Sequence, residues 1–431
     1  MKKALLIAIA IVCIGCKKEA TANYAIISGK ITNKPIGEVS INSLDRSFSE
    51  PLVLSADGTF KDTLNTDIKS YVLYDGVNPV FISIKPGDQL NITYDARDFD
   101  NSISITGKGS EVSNYLLTKR KNEQHMFGNS ADIYTLNEAD FKTKLIEIKK
   151  SNENLLENTS GLSKDFKTKE KRNLYYFYLN RLNDYEGAHR YFTKNAAFQV
   201  SDDFLNDYDG FDFTNEEDFD FSADYKRILT DYYRNQAKEL AEKKTTAIDL
   251  AFVETVSAIE NEIIKNGLLF DFANFNMSYS KDVNAFYDAF LANSTNTKNN
   301  TLITEKYNKL TAVAKGKPSP KFVDYMNFEG GTTSLDDLRG KYVYIDVWAT
   351  WCGPCIREIP SLKEIEKQFH DSDIAFVSIS IDKVSDHEKW KSMISDKELG
   401  GLQLFADNVW YSSFVIDYLI SGLASFILIE T

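Results

Sequence analysis

The sequence predicts a multidomain chain with three folded parts in series. They are an N-terminal antiparallel β-sandwich over residues 24–110, a central all-α domain over 111–315 and a C-terminal α/β domain over 316–431. Two periodicities and one motif carry this reading. Apolar residues alternate along the first part, with turn residues between the runs. They fall at three- and four-residue spacings along the second. In the third, a β-type run leads directly into Cys352-Gly353-Pro354-Cys355 and a helical segment. The length of 431 residues accommodates this division, at roughly 100–200 residues per domain. A composition of 43% apolar and 26% charged residues is that of a globular chain and excludes a disordered or fibrous one. The net charge of −13 argues against nucleic acid as a partner, because binding it relies on a basic face. The 28 Phe and 23 Tyr require interiors to sit in.

Residues 1–15 read as an export signal: Lys2 and Lys3 precede the apolar run Ala4–Ile14. That run is shorter than the roughly 20 residues a membrane span needs. Its tail, Cys13-Ile14-Gly15-Cys16, resembles a bacterial lipobox, with Cys13 standing where Leu is usual. The resemblance implies lipidation of Cys16, a short tether over 16–23 and an exported protein facing the periplasm on a lipid anchor. The plainer alternative is a cleavable secretory signal with an incidental Cys. The chain has four cysteines. With Cys13 removed and Cys16 lipidated, one C-x-x-C pair remains in an oxidising compartment. A structural disulfide framework and a four-Cys zinc site are excluded, and His125, His189, His370 and His387 show no ligand spacing. No metal and no cofactor is expected.

In the first folded part, Val80, Ile82, Ile84 and Leu90, Ile92, Tyr94 mark two strands around the turn Lys85-Pro86-Gly87-Asp88. Asp57-Gly58 is a second hairpin signal between Leu52-Val53-Leu54 and Phe60. Ile26–Ile31 and Glu38–Ile41 add strands. The order resembles the β-domain at the N-terminus of many envelope thioredoxin-like lipoproteins. From 111 onward, Thr135 and Glu138 have capping-box spacing. Tyr225, Ile228, Leu229, Tyr232 and Phe252, Val256, Ile259, Ile263 fall on helical faces, and Tyr175–Tyr178 reads as core rather than a ligand stripe. Residues 201–224 are rich in Asp and Glu without Lys or Arg. They lack the glycine and glutamate positions of a calcium loop, so a solvated acidic connector is expected.

Gly316-Lys317-Pro318-Ser319-Pro320 opens the last part, followed by a hairpin and loop over Phe322–Leu338 and the strand Tyr342–Val347. A C-x-x-C between a buried strand and a helix is a redox arrangement. The helix terminus offers unpaired N–H groups and partial positive charge that favour a thiolate at the first Cys. Two intervening residues let the second sulfur reach back to it. Metal binding by the dithiol is the weaker alternative.

The string Trp348-Ala349-Thr350-Trp351-Cys352-Gly353-Pro354-Cys355, followed by Glu358 and Pro360 and preceded by Leu335, Asp337, Leu338, Arg339, Gly340 and Lys341, resembles the TlpA/ResA-like thiol–disulfide oxidoreductases of thioredoxin fold. The resemblance covers about 316–431, and residues 370–400 resemble that family's helical insertion. It implies an exposed nucleophile at Cys352, a resolving thiol at Cys355, a disulfide between them and a buried acid at Asp346. It also implies an acid at Glu358 that tunes the pair, and a helix-kinking Pro360. Trp351, Gly353, Pro354, Leu423 and Ala424 would face substrate, and Gly353-Pro354 tilts the direction towards reduction. The implied partners are disulfide-containing exported proteins and a membrane thiol donor.

Three departures from that pattern matter. Ser378 stands where thioredoxin carries a lysine near the acid, and Ala424 stands where the family has a cis proline. A trans Leu423–Ala424 bond is therefore expected, because a non-proline cis bond costs roughly 2.5–4 kcal/mol. The sequence also stops at Thr431 within the strand Ser425–Ile429, short of the family's last strand and helix. Residues 316–431 alone are expected to fold poorly or self-associate. Besides the enzyme reading, these departures leave room for a binding or assembly lipoprotein with a degenerate redox domain.

Overall fold

The computed structural model describes residues 23–34, 39–43, 48–65, 70–420 and 422–431. The signal at 1–15, Cys16, the tether as far as residue 22 and Glu38 lie outside the described residues. The chain divides into two compact units, 1–211 and 212–431, and the division falls inside the segment 111–315.

The first unit opens with strands β1 (Tyr24–Thr32), β2 (Ser40–Ser43), β3 (Ser49–Pro51), β4 (Thr59–Asn65), β5 (Ser70–Tyr74), β6 (Pro79–Ser83) and β7 (Gln89–Asp95). A short helix α1 (Phe99–Ser102) and β8 (Ser104–Lys108) follow. They form two four-stranded sheets, ordered β4-β1-β7-β8 and β3-β2-β5-β6. Alternation directs Ala25, Ile27, Leu90 and Ile92 of one sheet and Ile41, Tyr71, Leu73, Val80 and Ile82 of the other into one apolar core. The pairing is not wholly antiparallel as expected: β1 runs parallel to β7. Parallel neighbours need a crossover, and the intervening chain supplies it by building the other sheet. For the same reason Asp57-Gly58 does not close a hairpin. Its turn hands the chain from β3 to β4, which pairs with β1 in the opposite sheet.

Helices α2 (Glu111–Phe127), α3 (Ser130–Tyr134), α4 (Glu138–Asn158) and α5 (Lys164–Thr193) complete this unit. The cap of α4 is Asn137, whose side chain accepts from the Asp140 N–H. Thr135 instead ends α3, with its hydroxyl donating to the Ala131 carbonyl. The expected capping box is thus displaced by two residues, because Asn137 is itself a strong capping residue and lies adjacent to the helix. On α5, Tyr176 and Tyr178 are buried. The acidic stretch is not free in solvent throughout. Asp207 accepts from Tyr178 Oη at 2.9 Å and pairs with Lys142 at 2.5 Å, which fastens the loop to α4 and α5.

The second unit begins with α6 (Glu216–Phe221), α7 (Ala223–Lys244), α8 (Ile248–Ser257), α9 (Glu262–Asn276), α10 (Val283–Asn293) and α11 (Thr297–Ala312). Phe252 and Val256 are buried on α8, but the row expected to continue through Ile263 breaks. Asn261 caps a new helix, and Ile263 lies exposed on it. The α/β part follows as β9 (Tyr325–Asn327), β10 (Thr332–Thr333), β11 (Tyr342–Trp348), α12 (Gly353–Gln368), β12 (Ile374–Ser380), α13 (His387–Asp396), β13 (Leu402–Phe405), α14 (Ser413–Asp417) and β14 (Ser425–Glu430). One six-stranded sheet runs β10-β9-β13-β12-β11-β14. The strands β11, β12 and β13 are mutually parallel, and β14 returns antiparallel to β11. Val343, Ile345, Val347, Ile379 and Leu404 fill the core, and α13 adds the fully buried Trp390 against Phe405.

The capping assignment is directly testable. Asn137→Ala should cost about 1 kcal/mol in a urea melt of the full chain. Thr135→Ala should cost less, since it leaves the N-terminal N–H groups of α4 satisfied.

Candidate active site

Strand β11 is buried from Ile345 to its end, and Ala349 and Thr350 stay buried beyond it. The chain then turns out to Trp351, which is 52% exposed, and back into α12. That turn is held by a residue that motif reading missed. Asp382, fully buried, accepts from the Thr350 N–H and hydroxyl and from the Ser380 hydroxyl, each at 2.8 Å. Hydrogen bonds to a buried carboxylate contribute about 1.5–3 kcal/mol each, so Asp382 fixes the strand end that delivers Cys352. The period-two spacing of Ser378, Ser380 and Asp382 was the available signal.

Cys352 is the N-cap of α12. Its sulfur accepts from the Cys355 N–H at 3.1 Å and is bonded to Cys355, with Cα atoms 5.3 Å apart. The pair therefore closes across the first helical turn, where the helix terminus favours negative charge on sulfur. Cys352 does not stand exposed in this disulfide form: both cysteines are only 4% accessible, because the sulfur folds back onto the helix end. Gly353 and Pro354 are exposed beside them. Trp351 lies near Trp410, with ring centroids 6.3 Å apart, and Trp410 was also unforeseen. Pro360 lies inside α12, where it removes one backbone donor.

The Leu423–Ala424 bond is cis, which overturns the expected trans bond. The loop is held on both sides. Leu423 and Ala424 pack against the cluster that contains both cysteines, and pairing with β11 starts at Ser425. The Ser425 hydroxyl also donates to the Gly422 carbonyl at 2.8 Å. The local preference for trans is outweighed by this packing.

Asp346 is 8% exposed on β11, and its Oδ1 has no hydrogen-bond partner among the described residues. Its register neighbour is Ser378, so no lysine side chain stands there to neutralise it. Burial, reinforced by the negative charge of Glu358, pushes its carboxyl up to about 7. Glu358 itself is exposed on α12, one turn beyond Cys355. The structure thus assembles Cys352, Cys355, Asp346, Leu423 and Ala424 around one core, with Trp351, Gly353, Pro354 and Glu358 at its surface. Among the described residues, no group of three or more His, Cys, Asp or Glu could hold a metal ion.

Residues 316–408 form a thioredoxin-like domain that matches the AhpC/TSA family. The chain is 33% identical over 81 residues to the thiol-disulfide oxidoreductase ResA of Geobacillus kaustophilus, covering 19% of this chain and 46% of that protein. It is 31% identical over 88 residues to the thioredoxin-like protein YneN of Bacillus subtilis, covering 20% of this chain and 51% of that protein. The chain thus spans about half the length of the curated relatives it matches. A solution structure from Bacteroides vulgatus, assigned as a thiol-disulfide oxidoreductase, is 45% identical, with 28% of this chain and 76% of that chain covered at a TM-score of 0.24.

The raised carboxyl of Asp346 has a consequence for stability. Between the ordinary value of 3.8 and about 7 the folded state holds a proton that the unfolded state has lost, so stability falls as pH rises through this window. Asp346→Asn removes that loss. In urea melts of the disulfide form, the variant should gain on wild type between pH 5 and pH 8, by up to about 4 kcal/mol. Parallel pH profiles for the two proteins would contradict the burial of the charge.

Proposed function

We propose that this chain is a lipid-anchored thiol–disulfide oxidoreductase of the bacterial envelope, facing the periplasm and reducing disulfides of exported proteins. The observation that carries this reading is the Cys352 sulfur, which caps α12 within bonding reach of Cys355, while the unpartnered carboxyl of Asp346 is buried in the same domain. In the dithiol form, the Cys352 thiolate attacks one sulfur of a substrate disulfide. A mixed disulfide forms and a substrate thiolate leaves. Asp346, with a carboxyl near neutrality, takes the proton of Cys355. The Cys355 thiolate then attacks the Cys352 sulfur, which closes the protein disulfide and frees the second substrate thiolate. A membrane thiol donor restores the dithiol. The backbone at Leu423 and Ala424 and the exposed Trp351 offer substrate an extended docking edge. Gly353-Pro354 between the cysteines supports the reducing direction. The lipobox-like Cys13–Cys16 supports the anchor, and the two β-sheets of the first unit read as a sandwich-like domain of the kind carried by such lipoproteins.

In the reduced protein, Cys352 should alkylate faster than Cys355 at neutral pH, and Cys355→Ser should accumulate a mixed disulfide whose mass identifies the partner. Faster alkylation of Cys355, or turnover that survives Cys352→Ser, would remove the assignment. The anchor is checked separately: Cys16→Ser should abolish fatty-acid labelling, since lipid held through acyl chains needs that thiol.

A further inference from the structure

Behind Asp346, on the side of α12 remote from its N-terminus, the sheet and the helix enclose a cavity of about 310 Å³ including its open mouth. Its polar lining is continuous. Asp346 on β11 is in register with Ser378 on β12, and Ser378 is in register with Gln403 on β13. Three buried polar side chains thus stand in one row across three strands, spaced by about 4.8 Å per strand. At each end of the row a buried oxygen has no hydrogen-bond partner among the described residues: Oδ1 of Asp346 and Oε1 of Gln403. The Gln403 amide donates to the Gly400 carbonyl at 2.6 Å. There Glu366 and Lys363 of α12 line the outer part of the cavity. The Glu366 carboxylate is cradled by two glycines. A Cβ on Gly400 would stand 2.6 Å from its Oε2, and one on Gly401 3.1 Å from its Oε1. The space for this carboxylate exists only because both positions lack a side chain.

We propose that this cavity is a water-filled proton passage that connects Asp346 to solvent, with Ser378 and Gln403 as its walls and Glu366 as the exchanging group at its mouth. The inference rests on the reductase reading for its use. Isolated polar groups this buried cost about 1–3 kcal/mol each when unpaired, and a polar cavity with several convergent donors and acceptors is where ordered water resides. The passage also meets a mechanistic requirement. While substrate is bonded to Cys352 it covers the surface around Trp351 and Ala424. The proton that Asp346 takes from Cys355 must then leave by another route before Asp346 can act again. The step balances: the Cys355 S–H proton passes to Asp346, then to water in the cavity, and the electron pair left on sulfur forms the Cys352–Cys355 bond.

The charged and titratable groups around the passage are Glu358, Lys363 and Glu366 on α12, His370 just beyond its end, and Tyr344 on β11. On the other strands beside Asp346 the register neighbours are uncharged: Ser378 on β12 and Phe426 on β14. Burial raises the Glu366 carboxyl, against the opposing influence of Lys363 and His370.

The test is infrared spectroscopy of the full chain in its disulfide form at about pH 5, below the Asp346 midpoint near 7. The carbonyl band of protonated Asp346, identified by its loss in Asp346→Asn, is followed after mixing into deuterated water. Wild type should exchange within the mixing time. Gln403→Leu should slow exchange by at least about tenfold, and the half-exposed, conservatively altered Glu366→Gln should slow it measurably with an unchanged urea midpoint. In single-turnover assays, both variants should delay release of substrate from the mixed disulfide while Cys352 alkylates at the wild-type rate. Wild-type exchange in both variants would overturn the passage. Because exchange is read without turnover, a chain that reduces no disulfide but shows blockable exchange would lose the reductase reading and keep the passage. The converse result would keep the reductase and lose the passage.

Discussion

The chemistry of this chain depends on the burial of strand β11. Val343, Ile345 and Val347 leave no accessible surface, and the strand lies between β12 and β14 in the sheet. A strand enclosed in this way cannot solvate a carboxylate, so Asp346 is held near neutrality rather than near 3.8. Nor can the strand end freely. Its last residues run into a turn whose N–H and hydroxyl at Thr350 must be satisfied internally, and Asp382 satisfies both. Cys352 follows two residues later as the cap of α12. The acid, the loop and the sulfur are therefore set by one enclosed strand.

The magnitudes rank the influences on the site. A helix terminus favours an adjacent negative charge by about 0.3–1 kcal/mol when exposed and up to about 2 when partly buried. Moving a carboxyl from 3.8 to about 7 corresponds to about 4 kcal/mol of differential interaction. Burial of Asp346 is thus the larger effect, and Glu358 adds to it from the helix surface. The site combines a thiolate favoured at the mouth with a carboxyl kept neutral behind it. That separates the nucleophile from the base without any cation placed between them.

Local signals made the redox centre legible. The C-x-x-C, the apolar run before it and Asp346 six residues ahead of Cys352 all lie on one continuous segment, where period and spacing suffice. The helical character of 111–315 and the strands of 24–110 were legible for the same reason. What escaped was set by distant pairing. Asp382 meets Thr350 across 32 residues, and Gln403 enters the row with Asp346 only through the register of three strands. The parallel β1–β7 pair follows from a crossover that no local pattern records. At Thr135 two capping residues lay within three positions, and the one adjacent to the helix took the role. At Leu423–Ala424 the local preference for trans was a sound rule that lost to packing on the cysteine cluster.

Strand β12 shows how a period-two row can hold two different functions. Ser378, Ser380 and Asp382 project to one face at successive alternate positions, and all are buried. At the Asp382 end the carboxylate receives three hydrogen bonds, with Ser380 and Thr350 as donors. At the Ser378 end the facing carboxyl of Asp346 keeps an oxygen without a partner among the described residues. An unpaired buried oxygen costs about 1–3 kcal/mol, and a saturated network rigidifies what it touches. Saturation suits Asp382, because the loop it holds must present Cys352 in one geometry. Saturation at Asp346 would be counterproductive: further donors to its carboxylate would lower its affinity for a proton and remove it as a base near neutrality. The asymmetry along this one strand therefore matches the division of labour between holding the nucleophile and moving its partner's proton.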